Sequence, residues 1–158
     1  MEDKFCKIVT GVLAIIQNSK KEILFIKQKK GPYAGNWLLP GGSIEKSETC
    51  DRAVKREVYE ETSINIKNPQ FLNVYEIFGE WNEKKYHVLM FVYKDFTDDK
   101  IPSDFQGDNV DDIRWISLDK AELHSTNKLI LTDAQITDIS QEEIRQSLDA
   151  DKVFMNKL

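Results

Sequence analysis

Glu57, Glu60 and Glu61 are the residues of this chain whose types and spacing could do chemistry. At about 100° per residue, positions i, i+3 and i+4 project from one stripe of a helix, so three carboxylates would stand side by side. Cys50, Val54 and Val58 form the adjoining apolar stripe, and the helix can lie on a sheet with its acids at the margin of the contact. Like charges at this spacing repel one another, and Arg56, four residues before Glu60, offsets only part of that. A hard divalent cation between the acids reverses the sign; Mg²⁺ suits a shell of carboxylates, waters and phosphate oxygens. Histidine and thiolate ligands are not grouped beside the acids, which disfavours zinc. The competing reading is a solvated acidic helix face.

Two features ahead of the helix favour the cation. Pro40-Gly41-Gly42 brings bare backbone towards the helix start, where carbonyls could join a metal shell and amides could meet phosphate. Lys27, Lys29 and Lys30 crowd the end of the preceding strand, either as a solvated strand end or with Lys27 or Lys29 reaching a phosphate. Tyr33, Phe78, Trp81 and Tyr86 offer aromatic faces on which a base could stack, although each could equally be core or surface filler.

The spacing Gly42, five residues, Glu48, seven residues, then Arg56-Glu57-Val58-Tyr59-Glu60-Glu61-Thr62-Ser63-Ile64 closely resembles the signature of the Nudix hydrolases, the superfamily of the MutT-like pyrophosphohydrolases. Gly35-Asn36-Trp37-Leu38-Leu39-Pro40-Gly41 resembles the usual lead-in. The resemblance implies an α/β (α+β) fold, an α/β/α sandwich with a mixed β-sheet between helices. It implies Mg²⁺, with Mn²⁺ as a substitute, held by Glu57, Glu60 and Glu61 with the Gly42 carbonyl as a further ligand. Glu57 or a loop acid would orient or deprotonate water, Arg56 would hold a glutamate, and Glu48 would brace loop and helix. A further acid often comes from a distant loop in this family. Asp108, Asp111 and Asp112 are available here, and spacing does not choose among them. One position departs from the pattern: Ser63 stands where the family usually has Gly, which implies a slightly altered helix end.

The elements that must position these residues follow from periodicity and punctuation. Lys7 to Gln17 and Glu22 to Gln28 read as strands, the first with a bulge at Gly11, the second with both faces covered. Gly31 to Gly42 is a loop with a short strand at Leu38-Leu39. A helix is expected over Glu48–Thr62 with Ser47 as its cap. Ile64 to Lys67, Phe71 to Phe78 and Tyr86 to Tyr93 are strand-like, the last two joined by a polar hairpin tip. Thr97 to Asp112 is an irregular acidic loop, Ile113 to Ile116 a short strand, Leu118 to His124 the start of a short helix, and Leu131 to Leu158 a helical tail.

Composition bounds the rest. A length of 158 residues, with 41% hydrophobic, predicts one domain over 1–158 with a single core. A net charge of −5 argues against general nucleic-acid or anionic-membrane binding while allowing a small anionic nucleotide with a cation. The two cysteines, Cys6 and Cys50, lie far apart and read as buried free thiols. Neither a signal peptide nor an apolar run of membrane-spanning length is evident, so a cytoplasmic location without membrane attachment is expected.

The functional expectation is an Mg²⁺-dependent pyrophosphohydrolase acting on a nucleoside di- or triphosphate derivative, with oxidised dNTPs and ADP-ribose-like compounds as leading substrates. The alternatives are a nucleotide-sensing module without turnover and an RNA 5′-end pyrophosphohydrolase. The resemblance also suggests a homodimer.

Overall fold

The computed structural model describes residues 7–158, so Cys6 lies outside the described residues. Among them eight strands form one mixed sheet: β1 (Ile8–Gln17), β2 (Ile23–Gln28), β3 (Trp37–Leu38), β4 (Gly41–Ser43), β5 (Gln70–Trp81), β6 (Lys84–Phe96), β7 (Val110–Ile116) and β8 (Phe154–Lys157). The helices are α1 (Cys50–Thr62), α2 (Ser125–Asp133) and α3 (Gln141–Ala150). The main path of the sheet runs β3-β2-β1-β6-β5-β8, with β4 on β1 and β7 on β2. Among the described residues only the β1–β6 pairing is parallel, in unbroken register from Ile8↔His87 to Gln17↔Phe96.

The sheet forks. On its other side β1 meets β2 only at Gln17↔Ile23, and farther along it pairs instead with β4 at Gly11–Leu13. From there β2 pairs with β3 and β7. Each face of the sheet carries its own core. Val12, Ala14, Ile16 and Leu24 pack with Ala53, Val54 and Val58 of α1, whereas Ile15, Ile23 and Phe25 pack with Ile130 and Leu131 of α2. Alternation along β1 and β2 therefore feeds two helical layers, which is why the ILFI run of β2 is buried on both faces. The expected mixed sheet between helices is present.

Several local expectations are corrected. Helix α1 begins at Cys50, because Thr49, in extended backbone, accepts the Arg52 N–H through its hydroxyl at 3.3 Å. Ser47 has φ +65° and cannot serve as that cap. Ile64 to Lys67 forms no strand; Ile64 and Ile66 are buried against the α1 face without a ladder. Gly11 pairs regularly with Ser43 and Met90 and marks no bulge; a Cβ there would lie 3.1 Å from the Gly42 carbonyl oxygen. The irregularities of register fall instead at Lys27/Gln28 and Phe71/Asn73.

The β5–β6 hairpin is longer than expected because Asn82 and Glu83 both take positive φ, the two-residue turn whose twist matches its strands. Leu118 to His124 forms no helix; His124 caps α2, and the helix follows it. The tail is helical only over α3, after which Val153 and Met155 bury alternately around exposed Phe154, a period of two that builds β8. Asp111 and Asp112 belong to β7 rather than to the loop. Cys50 is a free thiol, half-buried rather than buried. Among the described residues no helix is long and apolar enough to cross a membrane.

Candidate active site

A cleft of about 360 Å³ opens in the fork of the sheet. One wall is carboxylate and glycine: Glu57, Glu60 and Glu61 from α1, Gly41 and Gly42 from β4, and Asp108 from the loop before β7. The opposite wall is mostly apolar, with Leu39, Ile77, Met90 and Ile130 beside Tyr33 and Asn127.

The two glycines of β4 bring its backbone close to α1 and β1. A Cβ on Gly42 would lie 2.5 Å from the Glu57 carboxylate, and one on Gly41 would lie 2.0 Å from the Val12 carbonyl oxygen. The ladder bonds Ala14 N–H to Pro40 O and Ile44 N–H to Thr10 O, which flank the Val12↔Gly42 pair, turn the Gly42 polar groups towards β1. Gly41 faces the other way, and its N–H donates to Glu61 Oε2 at 2.8 Å. Its carbonyl leaves the ladder on that same side.

Arg56 ties the acids together. Its guanidinium donates to both Glu48 oxygens at 2.8 and 2.9 Å, to Glu57 at 2.8 Å, to Glu60 at 3.1 Å and to the Ser43 carbonyl at 2.9 Å. Glu48 also accepts the Glu45 N–H at 3.0 Å and so joins the loop to the helix. The hydrogen bonds from Arg56 hold the Glu48 carboxyl down to about 2. Glu61 is the reverse case. It is 8% exposed, and burial pushes its carboxyl up to about 8, the charges of Glu57, Asp108 and Glu60 adding to the rise against the Gly41 N–H. Burial also raises Glu57, with the Arg56 bond opposing it.

The acids fit a hard cation by donor type: they are oxygen ligands, and burial favours the protonated form of Glu57 and Glu61, a penalty that a divalent charge would remove. Among the described residues no three such side chains close into a finished cage. Glu57 and Glu60 are turned onto Arg56 instead.

The loop before β7 reaches this wall through backbone. Asp108 N–H donates to the Glu60 carbonyl at 3.2 Å, and a Cβ on Gly107 would lie 2.3 Å from the Glu61 carbonyl oxygen. At the far end of the cleft, Tyr33 shares a hydrogen bond with Tyr86 at 2.7 Å and packs edge-on to His124. Burial raises the Tyr33 hydroxyl above its ordinary range and lowers His124, with Asp151 opposing the fall.

The NUDIX domain family matches residues 7–135. The chain belongs to this family. The ADP-ribose pyrophosphatase of Methanocaldococcus jannaschii is 39% identical over 83 residues, 52% of this chain and 47% of that protein. An 8-oxo-dGDP phosphatase of Danio rerio is 38% identical over 68 residues, 43% of this chain and 21% of that protein. The chain thus spans half or less of the length of these curated relatives. Among solved structures, the MutT NUDIX hydrolase of Burkholderia pseudomallei superposes with a TM-score of 0.68 at 29% identity, covering 84% of this chain and all of that one.

Within the NUDIX domain, the structure brings Glu57, Glu60, Glu61, Gly42, Tyr33 and Asp108 to one cleft, with Arg56 holding two of the acids. The other residues expected at the site lie outside it. Lys27 stands 6.0 Å from the Trp37 ring centroid, and Asp112 pairs with Arg114 at 2.6 Å. Phe78 stacks on His87 with ring centroids 4.1 Å apart, and Lys29 lines a separate groove. Sequence reasoning missed Gly41 as the residue facing Glu61, and Asn127, whose side chain donates to the Trp37 carbonyl at 3.0 Å. The Gly41-Gly42 pair was visible as a motif; only strand register tells which of the two faces the acids. For Asn127 no sequence signal exists, since its place follows from how α2 packs.

Proposed function

We infer that this chain hydrolyses the diphosphate linkage of a nucleoside diphosphate derivative, with Mg²⁺ or Mn²⁺ held at α1. The observation that carries the reading is the placement of Glu57, Glu60 and Glu61 on one wall of a cleft whose opposite wall is apolar and nucleoside-sized. Glu57, Glu60 and Glu61 would hold the cation, with the outward carbonyl of Gly41 beside them. When bound, the cation supplies positive charge against the phosphate oxygens of the substrate.

The protein's own groups do the remaining work. Arg56 fixes the rotamers of Glu57 and Glu60 and locks the helix to the Gly42–Glu48 loop through Glu48. Glu57, its carboxyl raised above the ordinary range, or Asp108 from the facing loop, takes the proton from the water that attacks phosphorus. The P–O bond to the leaving phosphate or monophosphate breaks as the new P–O bond forms. Leu39, Met90 and Ile130 exclude water around the nucleoside, while Tyr33 and Asn127 supply polar contacts.

The relatives named above act on ADP-ribose and on an oxidised nucleoside diphosphate, and both compounds carry the proposed linkage. A panel of ADP-ribose, 8-oxo-dGDP, 8-oxo-dGTP and ordinary nucleotides with Mg²⁺, resolved by product, tests the reading. Release of a nucleoside monophosphate from at least one supports it. Tight binding without cleavage of any would assign a sensing module instead.

A further inference from the structure

Tyr33 and Thr126 line the cleft from elements far apart in the chain, and both rest on one side chain that does not itself line it. That side chain is His124, the residue before α2. Its imidazole is 7% exposed and packs edge-on to Tyr33 with ring centroids 5.0 Å apart. Its Nδ1 accepts the Thr126 N–H at 3.3 Å and so satisfies one of the free amides in the first turn of α2. Asn127, next along that turn, lines the cleft and donates to the Trp37 carbonyl at 3.0 Å.

The neighbours of the ring select its hydrogen positions. Nε2 lies 3.4 Å from Asp151 Oδ2, just after α3. A hydrogen on Nε2 and a bare Nδ1 suit both contacts; the opposite tautomer would set a bare Nε2 against a carboxylate and an N–H against an N–H. Protonation disturbs this arrangement, because the second hydrogen must go to Nδ1, the atom that accepts. The Thr126 N–H then loses its acceptor, the new N–H turns to the Thr126 hydroxyl 2.9 Å away, and a full positive charge stands at the positive end of the α2 dipole. Of the groups packed around the ring, half-exposed Asp151 favours the charged form. Tyr33 shares its hydroxyl bond with Tyr86, and Lys128, one turn along α2, is held by Glu143 and Ser147 of α3. Burial outweighs Asp151 and keeps the imidazole below the ordinary histidine range.

Resting on the diphosphate chemistry inferred above, we propose that His124 is a positioning residue for substrate binding: its neutral imidazole holds the start of α2 and Tyr33 on the cleft wall, and its protonation loosens that wall. The carboxylates of α1 are untouched by this change. The effect therefore falls on KM and leaves kcat in place.

Hydrolysis of ADP-ribose with Mg²⁺, or of 8-oxo-dGDP if that is the compound cleaved, is measured from pH 8 to pH 5 for wild type, His124→Asn and His124→Ala. Where a compound binds without cleavage, Kd replaces KM. Asparagine at a cap position offers an oxygen acceptor that does not titrate. The ratio of KM values, wild type to His124→Asn, cancels ionisation of the substrate and of the α1 carboxylates. It should rise about fivefold as pH falls through the His124 titration, the scale of one lost cap, while the kcat ratio stays flat. His124→Ala should bind weakly at every pH, and His124→Asn should restore binding. A KM ratio flat across pH, or His124→Asn no better than His124→Ala, overturns the proposal.

The imidazole is also read without any nucleotide, so its failure and the failure of the hydrolase reading are distinguishable. In long-range proton–nitrogen NMR spectra in EDTA, the imidazole absent from His124→Asn should carry its hydrogen on Nε2 at pH 8, and the Thr126 amide shift should follow its titration. A hydrogen on Nδ1 at pH 8, a Thr126 amide that ignores the titration, or a ring that stays neutral until the protein unfolds overturns the proposal whether or not a nucleotide is cleaved.

Discussion

Gly41 N–H donates to Glu61 Oε2 at 2.8 Å, and this bond joins the strand before the helix to the most buried of the three acids. The contact orients Glu61 without neutralising it. Its carboxyl, raised to about 8 in the folded protein, sits near 4.5 when unfolded, so the folded state binds the proton more tightly. The contribution of Glu61 to stability without metal is therefore full below pH 4.5 and is lost as pH rises through 8. Urea denaturation in EDTA should show Glu61→Gln losing less stability than wild type between pH 5 and pH 8, by on the order of 3 kcal/mol. Equal pH slopes would mean that Glu61 carries no such strain.

Glu48 behaves oppositely. Its folded carboxyl lies near 2 against 4.5 unfolded, so its contribution is present above pH 4.5 and is lost as pH falls towards 2. Acid titration followed by circular dichroism should place the unfolding midpoint of Glu48→Gln at higher pH than that of wild type. An unchanged midpoint would remove the Arg56–Glu48 pair as the brace of the loop.

Gly107 tests the link between the loop and the helix. Its missing Cβ is replaced at 2.3 Å by the Glu61 backbone oxygen, so Gly107→Ala must push the loop off the end of α1 and carry Asp108 with it. The expected cost is about 1–3 kcal/mol in stability, with a larger fractional loss of turnover than of thermal stability. Full activity in a stably folded variant would show that Asp108 is dispensable.

Ser63 stands where the family usually has glycine, and the helix end is nonetheless the ordinary left-handed cap: φ +61°, with the Ser63 N–H on the Tyr59 carbonyl at 2.8 Å. The altered end expected from sequence is absent, and the cost falls on the Ser63 backbone instead. Ser63→Gly should stabilise the protein by about 1 kcal/mol in denaturant melts, with turnover unchanged. A destabilised variant would contradict the cap.

Particular residues show what the sequence carries and what it leaves out. The stripe of Glu57, Glu60 and Glu61 was legible because helical periodicity is local, and the continuous apolar runs of β1 and β2, buried in the sheet, were legible for the same reason. The fork between β1 and β2 was not. It depends on β4 displacing β2 from β1, a pairing between segments some thirty residues apart. The cleft exists because of that fork, so its far wall, Asn127 and Ile130 included, could not be read from spacing. The tail failed for a different reason: Ile144, Leu148 and Val153 satisfy a loose helical pattern, and the turn at Lys152, φ +56°, breaks it into helix and strand.

The central claim is that carboxylates of α1 hold a divalent cation which the cleavage of a diphosphate requires. Turnover of the best panel substrate, measured against Mg²⁺ concentration for wild type and Glu60→Gln, tests it most directly. The account predicts no turnover in EDTA, saturable recovery with Mg²⁺, and a Glu60→Gln curve displaced about tenfold or more to higher Mg²⁺, with the fold intact by circular dichroism. Turnover that persists in EDTA, or superposable Mg²⁺ curves for the two proteins, would contradict it.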